Sequence, residues 1–241
     1  LFQKYGGGCH LAVGINTQSH KGFLIDIEKG QHNDKVIENI ELHGVDYSKV
    51  KGLKVYLPLG EKDEIVQKEL IPTNLKDDEI YFVTSSYCLH SIKDLENAVF
   101  FSSGIRTMKK MAKLSKWVNG SADSLGHEEV AKVLESKAIQ IMIKSNTVKV
   151  LSHSKAKSPI GEVIACYSRS ISEKTLEIDN IDAIYFSSFY QYEAYKEKNS
   201  SVKDKIILCG LGKTYDQFKS KGIEVIPFAS MKQLKETCII I

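Results

Sequence analysis

The first part of the chain alternates apolar and polar residues over three short segments. They are "HLAVGINTQ", "GFLIDIEKG" and "KVIENIELHG", all within residues 1–44, and glycine or Asn-Asp turns separate them. Alternation with a period of two is typical of strands that bury one face. The pattern predicts a small antiparallel β segment, followed by a junction at residues 46–52.

From residue 53 onward, apolar runs alternate with helix-like segments. The run "LKVYLPL" predicts a strand, and the charged segment after it ends at Pro72. Further strands are predicted at "EIYFVTSS", "AVFFSS", "KVLSHS" and "EVIACYS", and helices at "YCLHSIKDL", "RTMKKMAKL" and "ADSLGHEEVAKVLES", with Asp123 or Ser124 as the cap of the last helix. Such alternation favours an α/β fold in which helices cover parallel sheets.

One strand–turn–helix pattern occurs twice in the chain. The segment "IYFVTSSYCLHSI" at 80–92 matches "IYFSSFYQYEAY" at 184–195, so that Tyr81 corresponds to Tyr185. The match indicates two similar α/β halves of about 100 residues each, the usual size of a domain.

A second pair of segments repeats in the same order at nearly the same spacing. Here "VFFSSGIRTMKKM" at 99–111 matches "IILCGLGKTYDQF" at 206–218. Arg106 therefore corresponds to Lys213, and Thr107 to Thr214.

Hydroxyl and cationic side chains fall at strand ends and helix starts in both halves. Ligands of parallel α/β sheets bind beyond the carboxyl ends of the strands, where helix N-termini offer N–H groups to anions. We therefore expect a cleft between the two lobes that receives a polyanion. The candidate residues are Thr84, Ser85, Ser86, Arg106, Thr107, Ser187, Ser188, Lys213 and Thr214.

The sequence "GLGKT" imitates a nucleotide-binding loop without meeting its pattern. Such a loop needs a second glycine five residues before Gly212, because consecutive backbone N–H groups must curl around the phosphates. Ile207 occupies that position, inside an apolar strand. A nucleotide site is therefore disfavoured.

Composition places the chain among ordinary globular proteins and disfavours several classes of partner. Of its 241 residues, 42% are hydrophobic and 26% charged, and the net charge is only +3. The lysines are scattered, so nucleic acid is a weak candidate. No apolar stretch reaches the roughly 20 residues that span a bilayer, and no signal peptide opens the chain, which begins with Leu1 and is expected to be part of a longer polypeptide.

The cysteines indicate a reducing compartment. There are five, and none shows the C-x-x-C spacing of structural zinc sites. Cys88, Cys166 and Cys209 lie in or beside apolar runs, where buried free thiols are expected. We expect a cytoplasmic protein with no metal and no membrane contact.

The ordered series of motifs resembles the uroporphyrinogen-III synthase family over roughly residues 52–238. The motifs are "IYFVTSS", "VFFSSGIRT", "WVNGSADSLG", "IYFSSFYQYEAY" and "CGLGKTYDQFKSKGIEV". The resemblance implies two similar parallel-sheet lobes joined by a two-stranded linker. The first lobe would comprise residues 50–76 and 169–241, and the second residues 77–168.

The start of the chain resembles a different family. "LFQKYGGGCHLAVG" is similar to the opening of the C-terminal domain of hydroxymethylbilane synthase (porphobilinogen deaminase), and residues 1–45 would be a remnant of that domain. Cys9 matches the cysteine that anchors the dipyrromethane cofactor, and Ala12 stands where a proline is usual. Because the other deaminase domains are absent, we expect Cys9 to be idle. The chain would be the C-terminal part of a fused bifunctional protein that carries two consecutive steps of tetrapyrrole synthesis.

The synthase resemblance implies a lyase that needs no cofactor. Its substrate, hydroxymethylbilane, is a linear tetrapyrrole with eight carboxylates. The enzyme removes its hydroxyl as water and closes the ring through a spiro intermediate that inverts ring D. Tyr167, in "ACYSRS", would assist departure of the hydroxyl, and the threonines, serines, Arg106 and Lys213 would bind carboxylates. We expect a monomer.

Other interpretations stay open on the residues alone. Tyr167 is also compatible with a half-buried packing residue, and the serines with helix caps. At the level of the whole chain, the alternatives are a non-catalytic two-lobed anion-binding module and an accessory domain of the deaminase.

Overall fold

The computed structural model of the protein describes residues 12–32, 35–142 and 147–241. The described chain divides into two compact units. Unit 1 contains the described residues up to Lys62 together with Thr175–Ile241, and unit 2 is Asp63–Lys174. The chain therefore leaves unit 1 once and returns to it once.

The elements follow one another along the chain as strands interspersed with short helices. The strands are β1 (Ala12–His20), β2 (Phe23–His32), β3 (Lys35–His43), β4 (Lys54–Tyr56), β5 (Val66–Leu70), β6 (Ile80–Val83), β7 (Val99–Ser102), β8 (Val118–Ser121), β9 (Val148–His153), β10 (Gly161–Ile171), β11 (Ala183–Phe186), β12 (Ile206–Gly210), β13 (Ile226–Phe228) and β14 (Ile239–Ile240). The α-helices are α1 (Ile105–Ala112), α2 (His127–Leu134), α3 (Lys137–Met142), α4 (Phe189–Lys198), α5 (Lys213–Ser220) and α6 (Met231–Thr237). Short 3-10 helices lie at Tyr47–Lys49, Gly60–Lys62, Ser86–Ile92 and Ser200–Asp204.

The first three strands form an antiparallel sheet in the order β1-β2-β3. His20 lies opposite Phe23, so Lys21 and Gly22 form a two-residue turn between β1 and β2. Both have positive φ, at 52° and 81°, which is the conformation that a type I′ hairpin turn requires. The small N-terminal antiparallel segment expected from the sequence is confirmed.

Each unit contains five parallel strands in a corresponding order. In unit 1 the order is β13-β12-β11-β4-β14, and in unit 2 it is β8-β7-β6-β9-β10, with β5 added to β10 as an antiparallel edge strand. The repeated sequence segments thus occupy equivalent places, because β6 and β11 are both central and β7 and β12 lie beside them. The mixed α/β class with parallel sheets is confirmed.

The strand β6 shows how unit 2 buries both faces of its sheet. Tyr81 and Val83 join one apolar cluster, which includes Met111 of α1. Ile80 and Phe82 join a second cluster, which includes Val130 of α2. Because neighbouring residues of a strand point to opposite faces, a continuous apolar run is what a strand covered on both sides requires.

The local structure differs from the sequence prediction in two places. The segment "YCLHSIKDL" contains a 3-10 helix at Ser86–Ile92, not an α-helix. Asp123 and Ser124 do not cap α2, which begins after Gly126. Both adopt positive φ, at 50° and 66°, so they form a turn before the helix, and the cap prediction was wrong.

Two helices of unit 1 begin with the same pair of side chains. Ser188 caps α4 by accepting a hydrogen bond from the Gln191 amide at 3.2 Å, and Ser230 caps α6 through the Gln233 amide at 3.2 Å. Each glutamine also reaches back, since Gln191 Oε1 accepts from the Ser187 amide at 2.9 Å and Gln233 Oε1 from the Ala229 amide at 3.2 Å. The pattern Ser-x-x-Gln is a variant of the capping box.

Gln191 also connects two strand ends of unit 1. Its Nε2 donates to the Pro58 carbonyl, just after β4, at 2.7 Å, while its Oε1 accepts from Ser187, just after β11. The side chain is only 2% exposed, so water cannot replace these partners.

We expect Gln191→Ala to lower the free energy of unfolding by about 2–3 kcal/mol, because buried donors and acceptors lose their partners. The matched control is Gln217→Ala, which changes an exposed glutamine of α5 and should alter stability by less than about 0.5 kcal/mol. Urea denaturation of both variants measures the difference. Equal stabilities would contradict the connecting role of Gln191.

No helix in the described part of the chain is long and apolar enough to cross a bilayer.

Candidate functional site

The carboxyl ends of the parallel strands of unit 2 carry most of the candidate residues. Val83 of β6 is paired with Leu151 of β9 on one side and with Ser102 of β7 on the other. The segments after these strands therefore lie side by side at one edge of the sheet. We call this the unit 2 edge, made of Thr84–Ser86, Ser102–Thr107, Ser152–His153 and Cys166–Tyr167.

Thr84 and Ser85 join the end of β6 to its neighbours. Thr84 Oγ1 donates to the Leu151 carbonyl at 2.8 Å and lies 3.0 Å from Ser152 Oγ. Ser85 Oγ accepts from the Tyr87 amide at 3.3 Å and caps the 3-10 helix. Both hydroxyls thus have structural partners. Thr84 donates its proton and offers a ligand only acceptor lone pairs, whereas these bonds do not use the hydroxyl proton of Ser85.

The start of α1 presents backbone donors beside a cation. Gly104 is the cap residue and has no side chain to occupy the first amides of the helix, whose N–H groups have no intrahelical partner. Arg106 is exposed, whereas Thr107 is only 8% exposed. The Ser103 hydroxyl donates to the Thr84 carbonyl at 2.8 Å and thereby ties this segment to the end of β6.

Ser102 adds a feature that sequence reasoning missed. It is fully buried at the end of β7, and within the described residues its Oγ has no hydrogen-bond partner. Alternation along β7 places Ser102 on the same face as Phe100, which packs with Met111 of α1. The Ser102 hydroxyl is therefore a buried polar group at the unit 2 edge that has no partner among the described residues.

Tyr167 lies in β10 at an irregularity of the sheet. The pairing of β10 with β9 shifts between Ala165 and Tyr167, so that Tyr167 lies opposite His153. Because of this shift, Cys166 and Tyr167 both enter the same apolar cluster although they are neighbours in a strand. The Tyr167 ring is 5.5 Å from that of Tyr87 and 6.1 Å from that of His153, between ring centres.

The surroundings of Tyr167 keep its phenol protonated. Burial is the main cause that raises its pKa above the ordinary value, and the nearby Cys88 raises it further. A hydrogen bond with Ser85 acts in the opposite direction and lowers the pKa, as does the charge of Arg169. Tyr167 and Ser85, which the sequence suggested separately, are therefore brought near each other, because Tyr167 packs against the segment that Ser85 caps.

A pair of thiols lies behind this tyrosine. Cys88 and Cys166 are both fully buried, and they share a hydrogen bond. This bond and burial raise the pKa of Cys88, whereas accepting it lowers the pKa of Cys166. The sequence showed both residues to be buried but gave no sign of their contact.

The carboxyl ends of the strands in unit 1 form a corresponding edge. There the candidate hydroxyls take part in hydrogen bonds within the protein. Ser187 Oγ donates to Gln191 Oε1 at 3.0 Å, and Ser188 Oγ accepts from the Gln191 amide, so both serines serve the cap of α4. Thr214 Oγ1 donates to the Ser187 carbonyl at 3.2 Å, which joins the start of α5 to the end of β11. Lys213 is exposed as the first residue of α5.

The two helix starts are not superimposable residue by residue. Gly104 caps α1 and Gly212 caps α5, so Thr107 is the third residue of its helix and Thr214 the second. Thr107 is buried whereas Thr214 is partly exposed. The two threonines therefore present their hydroxyls differently, although the sequence echo makes them correspond.

Cys9 lies outside the described residues, so the deaminase resemblance of residues 1–45 stays a prediction. In the described ranges no group of three or more His, Cys, Asp or Glu side chains is placed to hold a metal ion.

No protein-family model matches the chain, and a comparison with curated proteins finds no match. Among solved structures, the chain is similar to the crystal structure of uroporphyrinogen-III synthetase from Helicobacter pylori 26695. The identity is 13% and the TM-score 0.49, over 76% of this chain and 97% of that chain. A likeness at this level carries no argument about activity.

We expect the Tyr167 phenol to titrate above pH 10, the ordinary value for tyrosine, because burial disfavours its charged form. Since its pKa is raised by folding, its contribution to stability is complete below pH 10 and is lost as pH rises through the raised pKa. Ser85→Ala should move the midpoint higher, because it removes the hydrogen bond that favours the ionised form. Carbon NMR of ring-labelled tyrosines, assigned with Tyr167→Phe, measures the midpoint; a value below 10 would contradict this description.

Proposed function

We propose that the protein is a uroporphyrinogen-III synthase, which cyclises hydroxymethylbilane with loss of water and inversion of ring D. The observation that carries the proposal is the packing of Tyr167 against Tyr87, in the segment that Ser85 caps at the unit 2 edge. A buried, protonated phenol is a proton donor, and the same edge of the sheet carries the start of α1, which favours anions. This is the combination that loss of hydroxyl from a polycarboxylate requires.

The binding part of the proposal rests on charge and backbone donors. Carboxylates are stabilised near helix N-termini and by charge-assisted hydrogen bonds to guanidinium and ammonium groups. Arg106 and Thr107 of α1 would receive carboxylates at the unit 2 edge, and Lys213 and Thr214 of α5 would do so in unit 1. Thr84 and Ser187 already donate their hydroxyl protons within the protein, so they would accept hydrogen bonds from pyrrole N–H groups, whereas Ser188 would donate its hydroxyl to a carboxylate.

The chemical part of the proposal needs one proton transfer to begin. Tyr167 donates its proton to the terminal hydroxyl, which leaves as water while the pyrrole nitrogen supplies electrons and an azafulvene cation forms. The substituted carbon of ring D then attacks this cation to give the spiro intermediate. The bond between this carbon and the ring C methylene then breaks, which leaves a second azafulvene cation on ring C. The free α-carbon of ring D attacks this cation, so that ring D is inverted, and the proton lost from that carbon restores the tyrosine. The sum is hydroxymethylbilane to uroporphyrinogen III plus water.

Burial of Tyr167 fits this role better than general packing does. Phenylalanine would fill the space between Tyr87 and His153 equally well, whereas tyrosine also brings a hydroxyl to the segment that Ser85 caps. The phenol is protonated across the neutral range, because the ordinary pKa of tyrosine is about 10.

The direct test gives the purified protein fresh hydroxymethylbilane, oxidises the products and separates the isomers. We expect the type III isomer to exceed the type I isomer, which forms by spontaneous closure. Type I alone would contradict the synthase proposal and leave the anion-binding module as the better description of the chain.

We expect Tyr167→Phe to lower kcat for the type III isomer by about a hundredfold, the lower end of the range for loss of a general acid, while the melting temperature changes little. The matched control is Tyr47→Phe, which removes the hydroxyl of a half-buried tyrosine that donates to the Pro227 carbonyl at 2.9 Å. Isomer yields from both variants are compared with those of the wild type. An unchanged type III rate in Tyr167→Phe would remove Tyr167 from the mechanism.

We expect Arg106→Ala to raise KM for hydroxymethylbilane severalfold and to weaken its dependence on salt, because one charge-assisted contact is lost. Lys113→Ala is the control, since Lys113 is an exposed cation at the other end of α1. Initial rates at low and moderate ionic strength give both quantities. Equal KM values for the two variants would place the carboxylates elsewhere.

A further inference from the structure

The N-terminal sheet packs against the first turn of α5. The ring of Phe23, the first residue of β2, meets that of Tyr215 edge to face, with 5.8 Å between ring centres. Lys21, in the turn between β1 and β2, forms an ion pair with Asp216. The Lys21 side chain is only 19% exposed, so this pair is partly shielded from water.

The third strand of the same sheet packs against the start of α6. Ser230 Oγ donates to the Ile40 carbonyl at 3.0 Å, and Gln233 Nε2 donates to the Leu42 carbonyl at 3.1 Å. Lys232 Nζ lies 3.2 Å from Asn39 Oδ1. Ser230 and Gln233 also form the cap of α6, so the residues that begin the helix are the residues that hold β3.

Apolar side chains on one face of the sheet are buried. Another layer of the protein must cover them, because three strands cannot cover their own face. Ile25, Ile40 and Leu42 are 0%, 4% and 2% exposed. Leu24, which points to the opposite face of β2 from Phe23 and Ile25, is 49% exposed. The buried apolar residues thus lie on the face that carries Phe23, whereas the face of Leu24 carries the buried Glu28.

We infer that the β1–β3 sheet is a structural layer of unit 1 that fixes the first turn of α5, with Lys21 and Phe23 as positioning residues. Both contacts fall on Tyr215 and Asp216, which directly follow Lys213 and Thr214 in the helix. The consequence for substrate rests on the proposed function, because only then does the position of Thr214 determine how well a carboxylate binds. The sheet is therefore a structural part of unit 1.

The contact with α5 is testable without any substrate. Hydrogen exchange of the full chain is measured for wild type, Phe23→Ala, Lys21→Ala and Lys21→Arg, with Leu24→Ala as the control on the opposite face of β2. We expect amides 215–218 to exchange at least tenfold faster in Phe23→Ala and severalfold faster in Lys21→Ala. Lys21→Arg should restore the wild-type rate, and α1 of unit 2 should be unchanged in every variant. Lys21→Ala removes a surface ion pair, so it keeps the test valid if Phe23→Ala fails to fold.

The same variants separate positioning from general stability through their kinetics. For hydroxymethylbilane, Lys21→Ala and Phe23→Ala should raise KM severalfold with kcat nearly unchanged, whereas Leu24→Ala should alter neither. Wild-type exchange rates in α5 of both alanine variants would overturn the inference. If exchange is faster in the variants but the wild type yields only the type I isomer, the contact with α5 is upheld and the proposed function is rejected.

Discussion

Parallel pairing of strands determines where the helices begin and where the polar side chains gather in both units. In each unit five parallel strands bring their carboxyl ends to one edge, and the helices that follow them begin at the same edge. Hydroxyls, an arginine, a lysine and unpaired helix amides are thereby gathered from segments that are far apart in the chain. We propose a polyanion site at each edge on the basis of this geometry.

The hydroxyls at these edges have two roles in the proposed enzyme, which are to stabilise the fold and to interact with the substrate. Thr84, Ser187 and Ser188 already hold strand ends and helix caps through their hydrogen bonds. Their rigidity is useful to binding, because a polar group that is held in place loses little entropy when a ligand arrives. Tyr167 differs from them, since it is buried and its pKa is raised.

Much of the fold could be predicted from apolar runs and from the internal echo, because strands buried on both faces require such runs. The central places of β6 and β11 follow from that echo. The cap of α4 by Ser188 was one of the interpretations open from the sequence, whereas the Ser-x-x-Gln pattern that α4 shares with α6 was not predicted. The shifted pairing beside Tyr167 and the contact of Cys88 with Cys166 depend on tertiary packing, for which the sequence carries no local signal.

The types of residue at the candidate site could be predicted from the sequence. Their positions and burial could be predicted less well. Gly104 and Gly212 begin their helices at slightly different points, so Thr107 and Thr214 differ in burial although their sequences correspond. The packing of the N-terminal sheet on α5 and α6 joins residues nearly 200 positions apart, such as Lys21 and Asp216. Contacts of this range leave no pattern in a single sequence.

The most direct measurement of the central claim is hydrogen exchange of the protein with and without uroporphyrinogen III, the product of the proposed reaction. If the carboxyl edges of the parallel sheets bind the tetrapyrrole, its addition should slow exchange at residues 84–86 and 105–107 of unit 2 and at 187–188 and 213–215 of unit 1. The opposite ends of the same strands should be unaffected. Unchanged exchange at both edges, or slower exchange only at the amino ends of the strands, would contradict the account.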